Sequence, residues 1–298
     1  MTPLGALLTA MATPFAPDGA VEISQARRLA RFLVENGSDG LVVTGTTGEG
    51  PTVSDREKLE LLEAVVSEVG GTHSVVANTG TYDTHHSVAL TRSALACGVD
   101  GFLVVTPYYN KPPAAGIVAH FEAIAEAAEG RPVIAYNIPS RVVLNLEPEL
   151  LFRPSEIPNV VGVKQAMPDL DQARAIAEHG GLDLYAGDDN LLVPFLELGG
   201  VGGICVCSHV AGPRFREMIS LAHAGDLAGA RRIDESLQPL YKTLMTITTN
   251  PIPLKAALNL LGHNVGGVRL PLVEATSEQI GQVKAALERA GIQAPATA

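Results

Sequence analysis

One lysine stands out by its position at the end of an apolar run. Lys164 follows the segment Val160-Val-Gly-Val163, whose side chains are all apolar. Burial of an unpaired lysine disfavours the charged ammonium, and a neutral amine can attack a carbonyl carbon to form an imine. A lysine in such a place can also form an ion pair with a nearby acid or point outwards beneath a helix. The residue type and position leave both interpretations open.

Hydroxyl and guanidinium groups follow other apolar runs. The turn Gly45-Thr-Thr-Gly48 offers two hydroxyls and several backbone N–H groups, which suits a small carboxylate but also fits an ordinary glycine turn. Tyr109 and Tyr136 are either core residues with a hydroxyl at the rim or, beside a reactive lysine, proton-transfer groups. Arg141 can bind a substrate carboxylate through its forked guanidinium or stand solvated in a surface loop.

The cysteines and the paired aspartates are interpreted as structural. Cys205 and Cys207 share one face of a strand, but no Cys/His set with metal-ligand spacing accompanies them, so both are assigned to the core. Asp188 and Asp189 lack further oxygen ligands nearby and are predicted to cap the following helix. Their negative charge argues against a phosphate-ester substrate. No metal site is predicted.

Eight short runs rich in β-branched and apolar residues alternate with longer amphipathic segments. These runs are residues 7–11, 40–44, 74–77, 101–106, 132–136, 160–164, 182–185 and 203–207. Helical segments such as Ser24–Glu35, Ser54–Val69 and Thr84–Ala96 lie between them, and Ser54 with Glu57 has capping-box spacing. Thr84 is predicted to cap the third helix. The alternation is typical of parallel βα units.

The number of units predicts an α/β fold, a (β/α)8 TIM barrel. Gly37, Gly98 and Gly199 each join a helix end to a strand and suit the left-handed position there. A doubly wound open sheet is the alternative, although its glycine-rich dinucleotide fingerprint is missing. We therefore predict a barrel over residues 1–225, with the site at the C-terminal ends of its strands, and a C-terminal helical region over residues 226–298.

Composition narrows the class of protein. The 298 residues are 46% hydrophobic, which excludes disorder as the main state, and the net charge of −11 gives no electrostatic reason to bind nucleic acid or an anionic membrane. Only three cysteines occur, the first residues lack the basic start of a signal peptide, and no apolar run reaches ~18 residues. We expect a cytoplasmic protein.

Six segments resemble, in the same order, those of the dihydrodipicolinate synthase family of class I, Schiff-base-forming pyruvate lyases. They are residues 45–49, 105–110, 136–141, 162–164, 187–189 and 250–253. The resemblance implies a lyase of lysine and diaminopimelate biosynthesis that holds pyruvate as an imine and condenses it with L-aspartate 4-semialdehyde. It implies no cofactor, because the lysine itself is the electron sink.

The resemblance also implies a role for each catalytic residue. Lys164 corresponds to the imine lysine and Tyr136 to the proton shuttle. Thr46 links Tyr136 to Tyr109, which reaches across a tight dimer interface into the site of the neighbouring subunit. The implied assembly is a homotetramer formed from two tight dimers.

Four further residues are implied to bind substrate. Thr47 donates hydrogen bonds to the pyruvate carboxylate, and Arg141 holds the carboxylate of the aldehyde substrate. Gly187 and Ile204 line the pocket.

Two segments depart from the family pattern beside the expected pocket. Val142-Val143 stands where Thr-Gly is usual, and Gln165-Ala-Met-Pro168 stands where Glu-Ala-Thr-Gly is common. They keep open a related lyase or dehydratase acting on a 2-keto-3-deoxy sugar acid; a relative that binds a keto acid without catalysis is the alternative of another class. Lys58 and His86 fall where some members bind regulatory lysine, so this cationic pair predicts weak or absent lysine inhibition.

Overall fold

The structure, a computed structural model, describes residues 2–293 of the chain. Eight parallel strands close into a barrel in sequence order, with β1 paired to both β2 and β8. The strands are β1 (Leu7–Ala10), β2 (Gly40–Val43), β3 (Ser74–Asn78), β4 (Gly101–Val105), β5 (Val133–Asn137), β6 (Val160–Gln165), β7 (Asp183–Ala186) and β8 (Gly202–Cys205). The predicted (β/α)8 fold is confirmed and the open sheet is excluded.

Helices follow every strand. They are α1 (Ile23–Glu35), α2 (Asp55–Val69), α3 (Thr84–Ala96), α4 (Ala114–Ala127), α5 (Pro139–Val142), α6 (Pro148–Ser155), α7 (Leu170–His179), α8 (Leu192–Glu197), α9 (Ser208–His223), α10 (Leu227–Thr246), α11 (Ile252–Leu260) and α12 (Ser277–Arg289). The last three form the helical C-terminal part. The boundary at residue 225 stays a prediction, and Met1 and residues 294–298 of the two predicted regions lie outside the described residues.

Two local predictions at element ends are confirmed. The Ser54 side chain accepts from the Glu57 N–H while the Glu57 carboxylate accepts from the Ser54 N–H, so both bonds of the capping box are present. Gly37, Gly98 and Gly199 have φ angles of 104°, 85° and 91°. A side chain at these positions would be strained, which explains why glycine ends the helices there.

The predicted cap of α3 is wrong by one residue. Asp83, not Thr84, has extended backbone, and its carboxylate accepts hydrogen bonds from the N–H groups of His85 and His86. Thr84 is already helical, so its hydroxyl bonds instead to Nδ1 of His120 at 2.9 Å. The earlier position of the aspartate decides which side chain reaches the free N–H groups.

The barrel interior is filled from the N-terminal end of the strands. Leu8, Val42, Ile134 and Tyr185 belong to one buried cluster inside the barrel. The Tyr185 hydroxyl donates to the Gly5 carbonyl oxygen at 3.0 Å, which ties the N-terminal segment across this end. Space for a ligand is therefore left at the C-terminal ends of the strands. Within residues 2–293, no helix combines the length and the apolar character needed to cross a membrane.

Candidate active site

A cavity of about 450 Å³ lies at the C-terminal ends of the barrel strands. Six predicted site residues line it: Thr46, Thr47, Tyr136, Arg141, Lys164 and Gly187. The C-terminal part of the chain adds Met245, Thr246, Thr249 and Asn250 to the wall. The fold thus brings residues separated by about 200 positions in sequence into one site.

Lys164 lies in β6 directly beside Tyr136 in β5. Their Cα atoms are paired across the two strands, and the Lys164 Nζ atom lies 4.3 Å from the centre of the Tyr136 ring. Both residues are buried, with Lys164 5% exposed. In residues 2–293, no carboxylate lies within 4.0 Å of this ammonium group. The ion pair that the sequence left open is therefore absent from the described residues, and the amine borders the cavity.

Thr47 is oriented by a residue far along the chain. The Asn250 side-chain amide donates to the Thr47 hydroxyl oxygen at 3.0 Å, and both residues are buried. Because the oxygen accepts this bond, the hydroxyl proton is free to be donated to a ligand. Sequence reasoning assigned Asn250 no role, although it belongs to one of the six family-like segments.

A buried ion pair holds the end of the same turn. The Lys255 Nζ atom lies 2.7 Å from the Glu49 Oε1 atom, and the two side chains are 2% and 1% exposed. The backbone N–H of Arg269 donates to the other oxygen of Glu49, Oε2, at 2.9 Å. Burial lowers the pKa of Lys255, and the Glu49 carboxylate opposes this shift. Helix α11 and the segment after it therefore clamp the turn that carries Thr46 and Thr47.

Thr46 stands between the active cavity and a second one. The second cavity, of about 380 Å³, shares Thr46, Tyr136 and Arg141 with the first. Tyr109 lines neither of them. It is 90% exposed and has a φ angle of 71°, so within one chain its side chain stays away from the site.

Two residues that line the second cavity, Lys58 and His86, are both bonded to the Asp55 carboxylate. Asp55 accepts from Lys58 Nζ at 3.2 Å through Oδ1 and pairs with His86 Nε2 at 2.6 Å through Oδ2. Burial raises the pKa of Asp55, but the hydrogen bond from His86 and the charge of Lys58 outweigh it, so the net direction is downward. Both oxygens of the carboxylate are therefore occupied, one by the Lys58 ammonium and the other by the His86 imidazole.

Of the remaining predicted residues, Arg141 and Gly187 line the active cavity and Ile204 does not. Arg141 lies in the short helix α5 and reaches both cavities. A Cβ atom at Gly187 would lie 2.6 Å from the Ala166 Cβ atom, so only glycine permits this close packing of the cavity wall against Ala166. Ile204 is fully buried in the barrel interior and does not reach the cavity wall.

The two aspartates after β7 do not cap the helix that follows them, which corrects that prediction. The Asp189 carboxylate accepts from the N–H groups of Val206 at 2.9 Å and Cys207 at 3.1 Å. Burial raises the pKa of Asp189, and the two backbone bonds oppose the rise. These donors at the end of β8, in a neighbouring strand, attract the carboxylate more strongly than the local helix does.

Asp188 faces the active cavity. It is half-buried, its carboxylate accepts no hydrogen bond from the described residues, and the charges of Lys164 and Arg141 act on it. Burial raises the pKa of Asp188, and these two cations oppose the rise. Its position directly after a strand was the available signal of a site residue, because polar groups at strand ends gather at one rim.

The segments that depart from the family pattern differ in their access to the site. Val142 lines the second cavity, whereas Val143 is 66% exposed with a φ angle of 69°. Gln165 is fully buried and accepts from the Asn137 side-chain amide at 2.9 Å. Gln165 is therefore a buried residue of β6 that bonds to β5, and it does not line the active cavity.

Comparisons with known proteins agree along the whole chain. A model of the dihydrodipicolinate synthetase family matches residues 3–290. The 4-hydroxy-tetrahydrodipicolinate synthase of Moorella thermoacetica is 48% identical over 97% of this chain and 99% of that protein. The crystal structure of dihydrodipicolinate synthase from Cyanidioschyzon merolae with lysine bound has a TM-score of 0.95 and 41% identity, covering 98% of this chain and 99% of that one. A structure described as the first monomeric dihydrodipicolinate synthase variant has a TM-score of 0.93 and 36% identity, covering 97% of each chain. This chain belongs to the dihydrodipicolinate synthetase family.

Proposed function

We propose that the protein catalyses the 4-hydroxy-tetrahydrodipicolinate synthase reaction in the cytoplasm, condensing pyruvate with L-aspartate 4-semialdehyde on the diaminopimelate route to lysine. The observation that carries the proposal is Lys164, a buried amine without a carboxylate partner in residues 2–293, beside the Tyr136 ring at the wall of the cavity. Family membership and relatives of that name over nearly the full chain support the reaction.

The chemistry begins at the Lys164 amine. It attacks the ketone carbon of pyruvate, and loss of water gives an imine. The imine acidifies the pyruvate methyl group, so removal of a proton gives an enamine, which attacks the aldehyde carbon. The amino group of the second substrate then attacks the imine carbon, which closes the ring and releases Lys164. The lysine is the electron sink, so the proposal includes no cofactor.

Tyr136, Thr46 and Tyr109 are proposed to move the protons. Tyr136 is adjacent to the amine, and Thr46 lies where the two cavities meet. Tyr109 is too exposed to serve its own site, which supports a role in the site of a second copy. We propose a homotetramer built from two tight dimers on this basis.

The other site residues are proposed to hold the substrates. Thr47, oriented by Asn250, donates to the pyruvate carboxylate, and Arg141 binds the carboxylate of the aldehyde. Gly187 lines the cavity, where a Cβ atom would clash with Ala166, and Ile204 belongs to the same buried cluster as Tyr136. The division of the chain into a barrel over residues 1–225 and a helical region over residues 226–298 also stays a proposal.

Borohydride trapping tests the proposal directly. The protein is incubated with pyruvate, reduced, and mapped by peptide mass spectrometry, with Lys164→Ala beside it and Lys242→Ala, at an exposed lysine, as the matched control. We expect a pyruvate-derived adduct on Lys164 in the wild type and the control and none in Lys164→Ala. An unmodified Lys164 in folded protein overturns the imine mechanism and favours a non-catalytic relative.

A panel of aldehydes then identifies the second substrate. With pyruvate present, L-aspartate 4-semialdehyde is expected to be consumed far faster than sugar-derived aldehydes. The opposite order would assign the protein to the lyases or dehydratases of 2-keto-3-deoxy sugar acids, the alternative that Val142 at the second cavity keeps open.

Free lysine is expected to inhibit weakly or not at all. The relative from Cyanidioschyzon merolae was solved with lysine bound. Here Lys58 and His86 line the second cavity and occupy both oxygens of Asp55, so a lysine ammonium entering it meets the Lys58 ammonium and finds neither Asp55 oxygen free. Rate assays with added lysine test this, and potent inhibition would contradict it.

A further inference from the structure

Arg141 has no side-chain partner that fixes it at the active cavity. The residue is exposed, and within residues 2–293 its guanidinium forms no hydrogen bond and has no carboxylate within 4.0 Å. Its position therefore depends on the backbone that carries it, residues 138–146, here named the Arg141 segment. This segment leaves β5 after Asn137, forms the short helix α5 and ends shortly before α6.

The side chain of Asn137 bonds to the far end of the Arg141 segment. Its Nδ2 group donates to Asn145 Oδ1 at 2.8 Å, and its Oδ1 atom accepts from the Leu146 N–H at 3.0 Å. Nδ2 also donates to Gln165 Oε1 in β6 at 2.9 Å, and both Asn137 and Gln165 are fully buried. One amide thus joins the two ends of the segment to each other and to the barrel wall.

A further amide, from α7, supports the same end of the segment. Asn145 Nδ2 donates to Gln172 Oε1 at 3.0 Å and to Glu147 Oε1 at 2.9 Å, and Gln172 Nε2 donates to the Leu146 carbonyl oxygen at 2.6 Å. The residues whose side-chain amides make these bonds are named the amide clasp: Asn137, Asn145, Gln165 and Gln172.

The Arg141 segment also contains an unfavourable backbone conformation. Val143 ends α5 with a φ angle of 69°, in the left-handed region that a β-branched residue rarely adopts. Its side chain is 66% exposed, so packing does not hold it there. Such a conformation persists only where the surrounding structure imposes it, and the amide clasp fixes the chain on both sides of Val143.

We propose that the amide clasp positions Arg141 for the carboxylate of the aldehyde substrate, with Asn137 and Asn145 as positioning residues. This inference rests on the proposed function. Neither asparagine lines the active cavity, so both act through the backbone between them. Without the clasp, Val143 relaxes out of the left-handed region, and α5 moves Arg141 away from the cavity.

The pyruvate half of the site does not depend on the far end of the clasp. Thr47 is oriented by Asn250, and Lys164 is held in β6 by its pairing with β5 and β7. Loss of Asn145 is therefore expected to weaken binding of the aldehyde and not of pyruvate. If Asn145 only stabilised the fold, its loss would lower the amount of active enzyme and leave both KM values unchanged.

Steady-state kinetics of Asn145→Ala provide the test. The KM for L-aspartate 4-semialdehyde is expected to rise roughly tenfold, as for lost hydrogen bonds, while the KM for pyruvate and trapping on Lys164 stay unchanged. Asn145→Asp retains the oxygen that accepts from Asn137 and is expected to recover part of the affinity. Asn159→Ala is the matched control, because Asn159 is also partly buried and hydrogen-bonded, but at the opposite end of β6. An unchanged KM for the aldehyde, or an equal rise in both KM values, overturns the proposal.

A double variant tests the part played by Val143. Glycine adopts the left-handed conformation without strain. Val143→Gly combined with Asn145→Ala is therefore expected to raise the KM for the aldehyde less than Asn145→Ala alone. An equal or larger rise overturns the proposed link between the clasp and this backbone conformation.

Hydrogen exchange distinguishes failure of this inference from failure of the proposed function, because it needs no turnover. Deuterium uptake by residues 138–146 is expected to be roughly tenfold faster in Asn145→Ala than in the wild type and unchanged in Asn159→Ala. Unchanged uptake in Asn145→Ala overturns the clasp, whereas failure of pyruvate trapping in the wild type overturns the reaction itself. If Asn145→Ala does not fold, Gln172→Ala removes the bonds from α7 and is expected to raise the KM for the aldehyde alone; unchanged KM values there overturn the proposal.

Discussion

At the scale of single residues, the Tyr136 ring and its hydroxyl have separable roles. The ring lies against Lys164 with its centre 4.3 Å from Nζ, whereas the hydroxyl is the group proposed to carry protons. We expect Tyr136→Phe to lower kcat roughly 10²- to 10⁴-fold while pyruvate is still trapped on Lys164. Steady-state rates and borohydride trapping measure the two effects. A variant with normal kcat would remove Tyr136 from the proton transfers.

Sequence position identified most of the residues at the cavity but not their partners. Lys164, Tyr136 and the Thr46–Thr47 turn follow apolar runs, and strand ends meet at one rim, so their grouping could be predicted. Asp189 could not be assigned, because its donors are the backbone N–H groups of Val206 and Cys207, just after β8. From the sequence alone, the nearest N–H groups are those of the helix that follows Asp189. In the closed barrel, the N–H groups that follow the neighbouring strand β8 are the ones that reach its carboxylate.

At the scale of elements, the C-terminal helices hold the substrate-binding turn in place. Replacing Lys255 by methionine leaves the buried Glu49 carboxylate without its ammonium partner. We expect Lys255→Met to lower the free energy of unfolding by about 3–5 kcal/mol, as for removal of one member of a buried ion pair. Denaturant unfolding measures the loss.

A double variant distinguishes the ion pair from simple packing. Glu49→Gln combined with Lys255→Met removes both charges, so we expect the double variant to be more stable than Lys255→Met alone. Additive losses would show that the two charges do not stabilise each other. The KM for pyruvate should follow the same order, because Glu49 ends the turn that contains Thr47.

The elements themselves could be predicted from local patterns, whereas their contribution to the site could not. All eight apolar runs became strands, with ends that differ by at most two residues, since β-branched runs and glycine turns act over short distances. Asn250 reaches Thr47 only because α10 and α11 return over the barrel mouth. That return is a tertiary arrangement, which the sequence of a helix does not encode locally.

At the scale of the whole molecule, the exposed Tyr109 makes a prediction about shared sites. Tyr109→Phe and Lys164→Ala are each expected to be nearly inactive alone. In a mixed dimer, one site combines the intact Lys164 of one copy with the intact Tyr109 of the other. Co-expression in equal amounts is therefore expected to restore about one quarter of wild-type activity, the statistical share of such sites. Activity no higher than that of the separate variants would place Tyr109 outside the partner's site.

The free energy of unfolding is expected to vary with pH because of Asp234, a partly buried acid in the C-terminal region. Burial raises the pKa of Asp234 to about 6, and the hydrogen bond from the Gln238 side chain opposes the rise. Because the folded pKa exceeds the unfolded value of 3.8, ionisation of Asp234 destabilises the fold above about pH 6, and the penalty disappears as the pH falls towards 3.8. We expect Asp234→Asn to stabilise the protein at about pH 7 by on the order of 1 kcal/mol.

Comparing the stability of Asp234→Asn with that of the wild type at the same pH isolates the contribution of Asp234. Other groups act in the opposite direction: the Arg269 hydrogen bond lowers the pKa of Glu57 to about 2, and burial lowers those of His120 and His209 to about 4. Their contributions cancel in the difference between the variant and wild type. Thermal unfolding at about pH 7 and about pH 4 is expected to show a gain only at the higher pH. An equal gain at both would show that ionisation is not the cause.

The Asp189 carboxylate also determines which thiols an alkylating reagent can reach. Cys205 and Cys207 are fully buried, and burial together with the charge of this acid raises the pKa of both thiols. Cys97, after α3, is the third cysteine and is half-exposed. The native protein therefore carries a single addressable thiol, on the outer helical layer away from the cavity. A maleimide dye attached there can report on subunit exchange without any cysteine being replaced first.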